Sequence, residues 1–74
     1  MSKDDKTALK ELYEKDQRTQ PGYTTNRSGG SDHFPVFEAT VVTEDGDFGL
    51  GVGHSKTEAE KDAARQVLIK KGQK

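Results

Sequence analysis

Cysteine and tryptophan are both absent from this 74-residue sequence, and proline occurs only twice. Without cysteine, neither a disulfide nor a thiolate-held metal can staple so short a chain. That absence suits a reducing compartment, the cytoplasm or the nucleus. No apolar run nears the ~20 residues that a membrane-spanning helix needs. The opening MSKDDKTALK also lacks the apolar stretch of a secretory leader, so no membrane partner is expected. Hydrophobic residues make up 28% of the chain against 34% charged, which predicts one small domain over 1–74 with a thin core and a narrow stability margin. The formal net charge is −1. The chain as a whole therefore does not attract a polyanion, and any nucleic-acid role must rest on local charge.

What is present is patterned. In KTALKELYEKD, residues 6 to 16, Ala8, Leu9, Leu12 and Tyr13 form one apolar stripe at helical spacing. Asp4 or Asp5 is placed to cap it, and Pro21-Gly22 ends the segment beyond it. Tyr23 to Asn26 reads as a short strand, followed by RSGGSDH as a loop. Val36 to Thr43 alternates, with Phe37, Ala39 and Val41 on one side and Glu38, Thr40 and Val42 on the other, as in a two-faced antiparallel strand. Asp45-Gly46 marks a hairpin turn, and Phe48 to Gly53 returns as the third strand. Ser55 opens a last helix, Glu58 completes a capping box, and Ala59, Ala63, Ala64, Val67 and Leu68 make its buried stripe. The fold class is α+β in the order α-β-β-β-α, a three-stranded antiparallel sheet with both helices on one face.

Several motifs suggest chemistry that they do not support. GLGVG, residues 49 to 53, lacks the spacing of either nucleotide-binding loop. Glycine at every second strand position instead empties one side-chain row, so that a helix can approach closely or the strand can twist sharply at that face. EDGD, residues 44 to 47, has too few oxygen ligands for a calcium loop and reads as a solvated turn. His33 and His54 lack further ligands at metal spacing, and no nucleophile–base pair is present. No catalytic residue, metal or cofactor is therefore expected.

Lys56 is different. It follows the capping Ser55, where free backbone N–H groups and the helix dipole already favour an anion. Six basic residues stand against three acidic ones from Ser55 onward, while acids gather at 44 to 47. The domain should thus have a basic end and an acidic end.

Taken together, these pieces resemble the double-stranded RNA-binding domain family. The family's G-x-x-H-x-P-x-F is present as Gly30, His33, Pro35 and Phe37. Its F-G-x-G-x-G-x-S-K is present as Phe48, Gly49, Gly51, Gly53, Ser55 and Lys56. Its A-x-x-x-A-A-x-x-x-L is present as Ala59, Ala63, Ala64 and Leu68. The match spans about residues 6–71. The resemblance implies a non-catalytic module that reads A-form RNA by shape, 2′-hydroxyls and phosphates, in RNA silencing or RNA processing. By position, Thr7 and Glu11 would meet one minor groove, His33 and Pro35 the next, and Lys56 the phosphates between.

Two departures qualify what the resemblance implies. Strong binders in the family carry K-K-x-A-K, whereas Lys56, Thr57 and Glu60 stand at those lysine positions here. Lys61 is rotated ~100° from Glu60 and substitutes imperfectly. Weakened binding is expected, with repulsion from Glu60. In addition, Leu50 and Val52, beside Val42, place apolar side chains on the outer face of an edge strand. This is a surface through which some family members pair with another such domain, with themselves, or with a ribonuclease or other RNA-processing enzyme.

Overall fold

The computed structural model describes residues 4–73. Met1 to Lys3 and Lys74, part of the expected tails, lie outside the described residues. The elements are α1 (Asp5–Lys15), β1 (Gly22–Gly30), β2 (Pro35–Val42), β3 (Phe48–Gly53) and α2 (Lys56–Lys70). The sheet is antiparallel in the order β1-β2-β3.

Asp4 caps α1, its Oδ1 accepting the Thr7 N–H at 2.9 Å. The helix ends in a tight reversal, with Gln17 in the left-handed region (φ 57) and Arg18 N–H bonded to Tyr13 O at 2.9 Å. The α2 end repeats the device with Gly72. At the start of α2, Ser55 Oγ accepts the Glu58 N–H at 3.1 Å as the capping box predicts. The Glu58 carboxylate, however, accepts from His54 N–H, one residue before the cap.

The core consists of Leu9 and Tyr13 from α1, Ala39 and Val41 from β2, and Ala59, Ala63, Ala64, Val67 and Leu68 from α2. These are the stripes that periodicity picks out, except that Ala8, Leu12 and Phe37 are only half-buried at its edge. The glycine strip works as its spacing implies. A Cβ built on Gly51 would lie 2.2 Å from Ala63 N and 2.4 Å from Ala59 O, and one on Gly49 would lie 2.5 Å from Ala63 O. The α2 backbone therefore rests directly on the β3 backbone. The backbone of α1, by contrast, neighbours α2 and none of the strands.

Two expectations are corrected. First, RSGG is not loop. Arg27 pairs with Phe37, Gly29 with Val36 and Gly30 with Pro35, past a bulge at Ser28. The ladder overrides the weak strand preference of Ser and Gly, and Gly30 supplies the positive φ of 82° that closes the hairpin. Second, the acidic turn is neither simply solvated nor isolated from positive charge. Asp45 accepts from Tyr13 Oη (2.6 Å), Arg18 (2.8 Å) and Lys71 (2.7 Å), and Lys71 also reaches Asp47 at 2.7 Å. Hydrogen bonds from Lys71 first, then Thr43 and Tyr13, hold the Asp45 carboxyl well below its ordinary range, and Asp45 with Asp47 raises the Lys71 ammonium. One cation of the basic segment is thus spent on the turn, and the turn locks the ends of both helices.

Candidate nucleic-acid interface

The first turn of α2 is the centre of the candidate surface. Lys56 and Thr57 are exposed there, next to the unpaired N–H groups that a helix start presents to anions. The acidic turn at 44–47 touches Lys71 at the other end of this 15-residue helix, about 20 Å away at 1.5 Å per residue. Distance and pairing together keep those acids from opposing an anion at Lys56.

Two links tie this turn to the other segments. On one side, His54 Nδ1 meets Pro35 O at 2.9 Å. The carbonyl can only accept, so the Nδ1 of His54 carries the proton. This bond joins the start of α2 to the loop end of the β1–β2 hairpin, where Pro35 begins β2 and the exposed connecting loop holds His33. On the other side, Glu60 reaches two elements at once. One carboxylate oxygen pairs with the Lys6 ammonium on α1, and the other accepts from Thr25 Oγ1 of β1 at 2.7 Å. The Lys6 ammonium also sits 4.9 Å from the centroid of the Tyr23 ring. Burial, with the charges of Glu60 and Asp4, pushes the Tyr23 hydroxyl up to about 12. The Glu60 carboxyl is held below its ordinary value by Lys6 first and Thr25 second.

The sites read from the sequence are therefore distributed as follows. Thr7 is exposed on α1, with Glu11, half-buried, one turn later. His33 and Pro35 belong to the hairpin, which His54 fastens to the α2 start. Lys61 is exposed on α2 and close enough to Asp4 to help lower its carboxyl, although the backbone hydrogen bond from Thr7 dominates there. The role expected of Glu60 changes most. Spacing alone marks it as a repulsive acid on the phosphate side, but its carboxylate is turned inward onto Lys6 and Thr25, and its side chain is only 18% exposed. Sequence reasoning also missed His54 as a link. Its place directly before the cap was the available signal.

On the opposite side of the sheet, Val42, Leu50 and Val52 are each more than half exposed, as expected, and Phe48 joins them at 52%. The register places Val42 beside Phe48 and Thr40 beside Leu50, making a short apolar strip along β3. The β3 edge is partly closed, however. Asp62 Oδ2 accepts the Val52 N–H at 3.0 Å. Lys70 Nζ donates to Phe48 O while lying 4.1 Å from the centroid of the Phe48 ring.

The family model described as the double-stranded RNA binding motif matches residues 6–71. Among curated proteins, the chain is similar to ribonuclease 3 of Phytoplasma mali, 42% identical over 73 residues, covering 96% of the chain and 32% of that protein. It is also similar to ribonuclease 3 of Mycobacterium leprae, 46% identical over 59 residues, covering 80% of the chain and 24% of that protein. A further match, ribonuclease 3 1 of Nostoc, is 44% identical over 50 residues, covering 68% of the chain and 22% of that protein. The chain thus spans between about a fifth and a third of the length of these relatives. Among solved structures, dsRBD2 of DRB4 superposes with a TM-score of 0.64 at 30% identity, covering 93% of this chain and 96% of that one. The second dsRBD of HYL1 superposes with a TM-score of 0.64 at 25% identity, covering 92% and 97%.

Proposed function

This chain belongs to the double-stranded RNA binding motif family, and from that premise we propose that it is a non-catalytic module that binds double-stranded RNA by shape in RNA processing. The observation that carries this reading is the convergence on the first turns of α2. His54 ties them to the hairpin that bears His33 and Pro35, and Glu60 ties them to the helix that bears Thr7 and Glu11. A rod-like polyanion needs such coupled segments, because minor-groove contacts on either side of a phosphate contact must keep a constant spacing. Lys56 and Thr57 take the phosphates, Thr7 and Glu11 one minor groove, and His33 with the Pro35 backbone the next. Lys61 adds a more distant charge. With Thr57 in place of a second lysine, the affinity is modest. The similarity to the dsRBDs of DRB4 and HYL1 supports the binding role, and RNA silencing is one setting that the family resemblance implies. The ribonuclease 3 relatives support a setting beside a nuclease. Titration of an RNA duplex of about 16 base pairs or more, against DNA of the same length, tests the reading. Binding only to RNA is expected, whereas equal binding to both or none to either would overturn it.

A second reading is favoured by the apolar strip of Val42, Phe48, Leu50 and Val52, through which the domain would pair with a second copy or another such domain. With Asp62 and Lys70 occupying the edge of β3, this pairing would use side chains and not an added strand. Light scattering across concentrations checks it. Leu50→Arg should abolish any self-association, and an unaffected oligomer would exclude this surface.

A further inference from the structure

The contact that most changes the meaning of the sequence is the one made by Glu60. At a position where strong binders carry lysine, an acid would ordinarily be counted as lost affinity. We propose instead that Glu60 is a positioning residue, whose carboxylate sets how α1 lies against α2 and so where Thr7 and Glu11 meet the duplex. This proposal rests on the RNA-binding reading for its consequence and on the fold alone for its geometry.

The fold leaves α1 in need of such a device. Its backbone lies against α2 and reaches no strand. Leu9 and Tyr13 are its two fully buried side chains, and two apolar anchors one turn apart locate a helix without fully fixing its tilt. Its ends are held by polar clamps. At the C-terminal end, Tyr13 and Arg18 meet Asp45, which also holds Lys71. At the N-terminal end, Lys6 meets Glu60, and Glu60 is held in turn by Thr25. Thr7 and Glu11 lie on the helix between these two clamps.

Geometry makes the N-terminal clamp specific. Thr25 and Tyr23 stand two residues apart on β1 and face the helices, paired with Ala39 and Val41 of the core. The Thr25 hydroxyl fixes one oxygen of Glu60, which aims the other at Lys6, and the Tyr23 ring supports the ammonium. The lysine is 43% exposed, so screening limits the Coulombic gain. The contribution is directional, because three elements share one carboxylate and α1 cannot swing without breaking the pair.

The sign of the predicted effect separates this proposal from simple repulsion. Glu60→Lys supplies the lysine that strong binders carry and shifts the net charge by +2. If Glu60 only repels phosphate, RNA binding must strengthen. If Glu60 positions α1, the new lysine faces Lys6, and binding weakens about three- to tenfold, the scale of one partly screened charge-assisted pair. The exchanged double variant, Lys6→Glu with Glu60→Lys, restores a pair of opposite polarity without altering net charge, and it should recover most of the loss. The experiment measures all variants in two arms. In the RNA-free protein, residual dipolar couplings of the α1 amides are compared with those of the sheet. In the titration with duplex, amide shifts are followed at residues 7–11 and 55–57. Glu60→Lys should reorient α1 in the first arm, and in the second silence residues 7–11 while 55–57 still respond. Unchanged α1 couplings, or tighter RNA binding by Glu60→Lys, would overturn the proposal. Failure of the unaltered protein to bind RNA would instead refute the proposed function, and the RNA-free arm would still decide the positioning claim.

Discussion

Replacing Gly51 by alanine adds one methyl group, and the structure states what it would strike. The new Cβ would lie 2.2 Å from Ala63 N, 2.4 Å from Ala59 O and 2.8 Å from Asp62 C, where comfortable separations are about 3.5 Å or more. All three are backbone atoms of α2, so no rotamer change relieves the clash. Relief requires α2 to retreat by about 1 Å, and a retreat of that size loosens the contacts of Ala59, Ala63 and Val67 with the sheet. Overpacking of this kind costs about 1–3 kcal/mol, and the rigid obstacle places Gly51→Ala near the upper end. Stiffening the unfolded chain returns about 0.4–1 kcal/mol. The net loss is therefore about 2 kcal/mol, which for a domain of this size lowers Tm by roughly 8–16 °C. Thermal unfolding followed by circular dichroism measures it, with Gly29→Ala as the control. Gly29 has nothing within 4 Å of its built Cβ, and that variant should melt at or slightly above the parent temperature. If Gly51→Ala melts within about 2 °C of the parent, α2 does not rest at backbone distance on β3, and the reasoning about the glycine strip fails.

Lys56→Ala should weaken binding to every RNA duplex alike and reduce the slope of log affinity against log salt by about 1, as loss of one phosphate contact requires; a sequence-selective loss in an anisotropy titration would contradict its role. The Asp45 carboxyl is held below its ordinary value of 3.8, so its stabilising contribution is fully present above that pH and is lost as pH falls through the folded value. Acid unfolding should therefore steepen below about pH 4, and Asp45→Asn should flatten that limb while lowering stability at neutral pH, as monitored by urea melts across pH. Removing both edge contacts, with Asp62→Ala and Lys70→Ala, should raise concentration-dependent association in light scattering, because the Val52 N–H and Phe48 carbonyl lose their partners; a variant as monomeric as the parent would show that the edge needs no guarding.

Much of the fold was legible because local signals agreed with the global arrangement. The alternation in VFEATVV, the Asp45-Gly46 turn and the stripe of small residues in α2 each specify a face, and every residue assigned to the α2 stripe is buried. What escaped notice depends on partners far apart in sequence. Gly29 and Gly30 become strand because Val36 and Pro35 lie opposite them. Lys71 reads as part of a basic segment until folding brings it to Asp45, and Glu60 reads as a phosphate-facing acid until Lys6, 54 residues earlier, meets it. The candidate surface was legible residue by residue, through a family resemblance. The ties that hold its parts in place, His54 to Pro35 and Glu60 to Lys6, were not, because spacing along a chain does not reveal which side chains will converge.

The order of synthesis gives the empty row of β3 a further meaning. The three-stranded meander leaves the ribosome before α2 does, and until that helix arrives its inner side is bare at residues 49, 51 and 53 while its rim is unprotected. A nascent chain paused at that stage would be sticky and unable to mature alone. Exposed apolar surface and an unpaired strand edge are the features that make such an incomplete domain prone to aggregate.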